Sequence, residues 1–165
     1  MAYINPAPGT TSQIVLKLDC GIALGTLTLG GSPLTVPALQ DITINAANDV
    51  FTWSQLDVTA KQQVATTSTN SIAMNLVVDP TTFFGTTLAS VQTDTVAAQG
   101  ILGLSRNKTL VTFSLKFQEG GATDKFIKGQ GYITGLAPTL TADAPVWVSP
   151  ITITVTGEYT SSATE

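Results

Sequence analysis

The chain has 165 residues, of which 43% are hydrophobic and only 11% charged, with a formal net charge of −4. That length suffices for one domain over residues 1–165 with a real core, and the charged fraction lies well under the roughly 25% usual for soluble domains. The acidic balance and scattered basic residues exclude a conventional nucleic-acid binder, which needs clustered positive charge to displace counterions from phosphates.

Histidine is absent. Its absence removes the commonest general base, the Ser-His-Asp and Cys-His arrangements, and most zinc sites. The single cysteine, Cys20, ends an apolar strand pattern and reads as a small buried hydrophobe. One thiol without a partner fits cytoplasmic synthesis. Every promising apolar run is broken by Asp, Lys, Gly, Pro or Thr, so no membrane span is expected. The segment Met1–Gly9 lacks the basic-then-apolar order of a secretory signal. A Thr-rich chain this poor in charge fits a protein that covers its own surface with further copies.

In chain order, Met1–Thr11 reads as an arm without core residues. Gln13–Cys20 alternates Ile14, Leu16, Leu18 and Cys20 against Gln13, Val15, Lys17 and Asp19, which predicts a strand. Gly25–Leu29 and Leu39–Asn45 read as further strands, separated by turn chemistry at Gly30-Gly31-Ser32-Pro33. Ala46–Asn70 is polar and rich in Thr and Gln, with Phe51, Trp53 and Leu56 in its first half, and reads as a long loop. Aromatic residues in such a loop are candidate anchors for a partner surface, or else fold back to bury Trp53.

Ser71–Asp79 alternates Ile72, Met74, Leu76 and Val78 against polar or small residues and predicts another strand. From Thr86 to Gly103, Leu88, Val91, Thr95, Ala98 and Leu102 recur at helical spacing. This predicts one helix, capped by Thr86 or Thr87 and ended at Gly100 or Gly103. Leu110–Phe117 is a strand with Val111, Phe113, Leu115 and Phe117 on one face. Phe126–Leu136 is a strand bent or bulged at Gly129, Gly131 and Gly135. Ile151–Tyr159 sets Ile151, Ile153 and Val155 against Thr152, Thr154, Thr156 and Glu158, and Thr160–Glu165 reads as a tail. Five of the seven basic residues fall between Arg106 and Lys128, interleaved with Glu119 and Asp124, as on a solvated face.

No catalytic constellation emerges. Gly25–Gly31 lacks the Lys-Ser/Thr ending of a phosphate loop, and Asn107-Lys108-Thr109 is a glycosylation triplet without a secretory context. The acidic residues sit beside turns or on polar strand faces, so no catalytic, cofactor or metal site is expected.

The C-terminal third carries a resemblance. Lys125-Phe-Ile-Lys-Gly-Gln-Gly-Tyr-Ile-Thr-Gly-Leu is followed by a polar crossover with Ala142-Asp143-Ala144-Pro145, then by Ile151-Thr-Ile-Thr-Val-Thr-Gly-Glu-Tyr-Thr. Together with Asp57-Val58-Thr59 in the Thr-rich loop, this order resembles the major tail tube proteins of long-tailed bacteriophages. As a pattern the resemblance spans residues 39–160, with its sharp matches at Gly129–Leu136 and Thr152–Tyr159.

The resemblance implies a mainly β (α+β) fold: a β-sandwich or barrel-like tail-tube domain with one flanking helix and a long inter-subunit loop. It implies a non-enzymatic virion protein whose hexameric rings stack into a hollow tube that conducts DNA to the host without sequence-specific binding. Other tail proteins (baseplate or tip, terminator, tape measure, with or without a sheath) would be its partners, with no membrane. The expected location is the virion tail, assembled in the host cytoplasm. Phe51, Trp53, Leu56 and Asp57 become candidate subunit or ring contacts. Lys17 and Asp19, or Thr152, Thr154, Thr156 and Glu158, become candidate lumen residues. The alternatives are another virion component, such as a head-decoration or tail-terminator-like protein, and a carbohydrate-binding β-sandwich stacking sugars on Trp53, Trp147 and Tyr159.

Overall fold

A computed structural model describes residues 14–37, 39–56, 58–88, 91–117, 124–142 and 144–165. The predicted arm at residues 1–11 and Asp57 lie outside the described residues. The elements are β1 (Ile14–Cys20), β2 (Leu34–Thr35), β3 (Leu39–Gln55), β4 (Val58–Val77), α1 (Pro80–Phe84), α2 (Val96–Arg106), β5 (Val111–Phe117), β6 (Lys125–Leu136), β7 (Thr139–Thr141) and β8 (Ala144–Ser162).

All eight strands belong to one sheet, in the order β2-β1-β5-β6-β8-β4-β3 with β7 paired to β8. The pairings are antiparallel throughout. The mainly β class is as expected, in the form of a continuous sheet whose apolar face lines one core. Leu16 and Leu18 of β1, Phe113 and Leu115 of β5, Ile151 and Ile153 of β8, and Ile72 and Met74 of β4 all enter that core. The register explains why: Ile72 pairs with Ile153, which pairs with Ile133, so one face stays apolar across three strands. Each such side chain contributes about 1.5–3 kcal/mol by leaving water.

The glycines of β6 behave as predicted, with register shifts between Lys128 and Gln130 and between Ile133 and Gly135. Gly131 is required by space, because a Cβ there would run into the Thr154 backbone. Strand β8 continues to Ser162, and Thr160–Ser162 pair with Phe126–Lys128. The predicted tail is therefore partly strand; its polar side chains hid the pairing, which backbone groups make.

Two further expectations change. Gly25–Leu29 forms no strand. The buried Gln130 carboxamide donates to Ala23 O and Thr26 O and accepts from Gly25 N–H, while the Asp19 carboxylate accepts from Gly30 N–H. Those side chains satisfy backbone groups that a strand neighbour would otherwise serve.

Where one helix is expected over Thr86–Gly103, two short ones form instead, α1 before Thr86 and α2 from Val96. Asp79 caps α1 by accepting from Thr82 N–H at 2.8 Å, and this bond holds its carboxyl below the ordinary value. Thr95 caps α2 through Ala98 N–H. Between them Asp94 folds a turn, accepting from Val91 N–H, so the chain enters α2 only at Val96. Leu88 and Val91 consequently face solvent, 74% and 57% exposed. The core side of the helices comes instead from Phe83, Val96, Ile101 and Leu104. Gly100 does not end α2 but kinks it, with φ 62°, and α2 runs on to Arg106.

Candidate assembly surfaces

The segment expected to be a loop is a long two-stranded hairpin. Strands β3 and β4 stay paired from Ala46↔Asn70 out to Gln55↔Val58, with bulges between Asn48 and Val50 and between Trp53 and Gln55. Strand β8 flanks β4 only along Ser71–Val77 among the described residues. The outer hairpin therefore projects past the sheet by roughly 30 Å, about ten residues at 3.3 Å each.

Its base is clamped. Asn70, buried, donates to Gly157 O at 2.8 Å, and the Tyr159 hydroxyl donates to Ser71 O and Asn45 O. Burial pushes the Tyr159 hydroxyl up from its ordinary value, against the bond to Ser71. The ring of Tyr159 also meets Phe113 edge-on, tying the hairpin root to the core.

Three of the four sequence-predicted interface residues sit on the projection. Phe51 is 59% exposed and Trp53 37%, their rings stacked with centroids 5.9 Å apart, and Leu56 is fully exposed. Trp53 is thus not buried in a folded-back loop. Val50 and Val64 are also exposed there, and Val64 lies opposite Phe51. These two went unrecognised because single valines in a Thr-rich stretch carry no special pattern. An isolated two-stranded ribbon is marginal in water, and contiguous exposed apolar area marks an interaction surface.

The lumen candidates divide. Thr152, Thr154 and Thr156 share the face of β8 opposite the core, with Thr154 and Thr156 exposed. Thr134 and Thr154 hydroxyls meet at 2.7 Å, and Tyr132 and Ser71 flank Thr154 in register. Glu158 is exposed and lines a shallow cleft with Leu24 and Leu27. Lys17 and Asp19 lie three strands away on β1 and do not join this surface. Lys17 pairs with Glu165 at 2.7 Å, and Asp19 is buried against Gly30.

The basic cluster also resolves into separate roles. Lys116 pairs with Asp124 at 2.7 Å, and Lys128 is buried with its ammonium 6.0 Å from the Phe126 ring centre. Cys20 donates its thiol hydrogen to Asp94 O, and burial followed by the Asp19 charge pushes the thiol up. Among the described residues no group of three or more His, Cys, Asp or Glu is placed to hold a metal ion. No described helix is long and apolar enough to cross a membrane.

The sheet ends on two unlike edges. One is β3, a strand of 17 residues whose outer side faces no other strand among the described residues; the other is β2, only two residues long. Open edges of this kind pair with further strands unless they are blunted.

The sequence matches no protein-family model and no curated protein. Solved structures do match. A chain from the tail of an empty gene transfer agent particle, of C6 symmetry, superposes with TM-score 0.60 at 11% identity, over 92% of this chain and 96% of that one. A chain of the six-fold symmetrised baseplate of the anti-feeding prophage gives 0.62 at 9% identity, over 96% and 97%. The SPP1 tail tube gives 0.62 at 12% identity, over 92% of this chain and 77% of that one. With more than nine-tenths of its length superposing on each of these, the chain has the mainly β fold of tail and tail-tube chains.

Proposed function

We propose that the protein is a structural, non-enzymatic component of a virion tail, with copies joining into six-membered rings that stack as a hollow tube. The observation that carries this reading is the clamped β3–β4 hairpin, which holds Phe51 and Trp53 in water beyond the sheet. Such a projection has no role in the core of its own copy and supplies contact surface to another. In this reading the β3 edge of one copy pairs with the β1–β2 side of the next. That contact is heterologous, and its repetition closes into a ring.

The uncharged face bearing Thr134, Thr152 and Thr154 is the lumen surface. It carries no cation to hold phosphates, so DNA slides past without sequence-specific contact. Leu56 and Asp57 are further contact residues in this reading. Baseplate or tip, terminator and tape-measure proteins meet the tube at its ends and interior, and assembly takes place in the host cytoplasm. Residues 1–165 act as one tail-tube domain.

The test is negative-stain imaging of the purified protein beside a Phe51→Ser/Trp53→Ser variant. Wild type should form hollow tubes or six-fold rings, whereas the variant should form no tubes while each copy stays folded and melts cooperatively. Normal tubes from the variant would refute the hairpin assignment, and a wild-type monomer that binds a glycan would refute the tube itself.

A further inference from the structure

The outer end of the hairpin has a counterpart at the far end of the same strand. Strand β4 starts at Val58, beside the hairpin turn, and runs for 20 residues to Val77. The next residue, Val78, donates its N–H to Trp147 O at 2.8 Å and opens an apolar recess of about 460 Å³. Phe83, Phe84, Leu102, Pro138 and Trp147 complete its wall. Phe83 is buried and forms the floor, while Phe84 and Trp147 stand at the rim, 43% and 50% exposed. The Phe83 and Phe84 rings meet edge-on with centroids 5.1 Å apart, which fixes the shape of the wall. Among the described residues no charged side chain lines the recess, and Asp79 beside it is committed to capping α1.

We infer that the aromatic face of the hairpin, Phe51 and Trp53, seats in this recess on a second copy of the chain. The inference rests on the proposed tube reading and names the acceptor for its hairpin. The hairpin aromatics cannot reach the recess of their own copy, because Phe51 and Trp53 lie opposite Val64 and Gln62, and the run of β4 from there to Val78 is roughly 50 Å at 3.3 Å per residue. A hairpin that seats there therefore belongs to another copy. A knob at one end of a strand and a socket at the other is the geometry of a heterologous, head-to-tail contact, which repeats along an axis without closing. Both partners are aromatic and apolar, and both leave about half of their ring surface in water when unpaired. The volume admits one or two bulky side chains, as small ligand sites of roughly 300–1,000 Å³ do, and Phe51 and Trp53 present two such rings already stacked.

The chain's only two tryptophans fall on the two halves of the contact. Trp147→Phe leaves Trp53 as sole reporter, and Trp53→Phe leaves Trp147; both substitutions keep an aromatic ring. On assembly of either full-length variant, emission should move to shorter wavelength as the indole leaves water. A shift from Trp53 without one from Trp147 overturns the socket and leaves the hairpin reading standing. A shift from Trp147 alone means that another group fills the recess, which also overturns the inference. Silence from both in assembled tubes refutes the hairpin reading as well.

Cross-linking identifies the neighbour. In a Cys20→Ser background, Trp53→Cys with Phe84→Cys should give a ladder of disulfide-linked multimers when tubes are oxidised, with none from either single variant. Tubes that form normally and give no ladder overturn the inference. If the cysteine pair fails to assemble, the two fluorescence variants decide.

Discussion

Replacing Gly100 with Ala tests what holds α1 against α2, and with them the wall built by Phe83 and Phe84. Gly100 sits inside α2 at φ 62°, ψ 177°, a backbone region open almost only to glycine. Forcing alanine into it costs about 1–3 kcal/mol. A Cβ at this position would also collide with the backbone of Phe84 and Gly85, and Gly85, at φ 78°, is equally pressed against Ala98 and Gln99. Backbone cannot rotate aside as a side chain does, so relieving that collision costs a further 1–3 kcal/mol or so. The expected total is about 2–6 kcal/mol, a large part of the roughly 5–15 kcal/mol that stabilises an ordinary domain. Gly21 is the control: its φ is 74°, but a Cβ there meets nothing within 4 Å, so Gly21→Ala carries the conformational penalty alone. Urea denaturation in the Phe51→Ser/Trp53→Ser background would measure both on unassembled protein, reading midpoint shifts at constant slope. Gly100→Ala should lower the midpoint by clearly more than Gly21→Ala. Equal shifts would show that the close approach of the two glycines does not fix the helix pair.

Gln130→Leu removes the two amide hydrogens shared among Ala23 O, Thr26 O and Thr112 Oγ1, and the bond accepted from Gly25 N–H. It should destabilise the fold by about 2–4 kcal/mol and speed amide exchange over Gly25–Leu29; unchanged exchange would show that the loop is held by something else. Ser114 Oγ is buried without a hydrogen-bond partner among the described residues, so Ser114→Ala should be neutral or stabilising by up to about 1 kcal/mol, and a clear loss in thermal unfolding would refute that expectation.

The legible parts of the fold were those with one dry face and one wet face. In β8, Ile151, Ile153 and Val155 are buried while Thr154 and Thr156 are exposed, so period-two alternation reports directly on the environment. The hairpin from Ala46 to Gln55 has water on both sides, and residues facing the same solvent have no reason to alternate. Its pairing is carried by backbone groups that leave no imprint on side-chain pattern, so it read as a loop. The aromatics survived as a signal because Phe51 and Trp53 have no local reason to stand in water. The helical spacing of Leu88, Val91, Thr95, Ala98 and Leu102 misled for the opposite reason. Asp94 and Thr95 offer side-chain acceptors to nearby N–H groups, and these local bonds end one turn and begin another where periodicity alone would run straight through. Spacing offers Trp147 only as a sugar platform; its backbone bond to Val78 and the wall of Phe84 and Leu102 are beyond the reach of spacing, because they join segments far apart in sequence.

The low charge of the chain acquires a physical meaning once the edges are compared. Strands left open in soluble proteins are usually guarded by Lys, Pro or a short length. The β2 edge has such guards, being two residues long between Pro33 and Pro37. The β3 edge has none: its 17 residues include Asp41 and Asp49 but neither Lys nor Pro, and Asp41 is engaged with Asn75. Two unguarded β3 edges could pair with each other, which would give a closed two-fold dimer with hairpins pointing in opposite directions. That arrangement closes after two copies, so neither a ring nor a stack could grow from it. Unlike edges joined in one direction instead keep all hairpins parallel, so each knob faces the next layer. An open-ended stack in which every hairpin serves the next layer therefore requires that the sheet edges be joined head to tail.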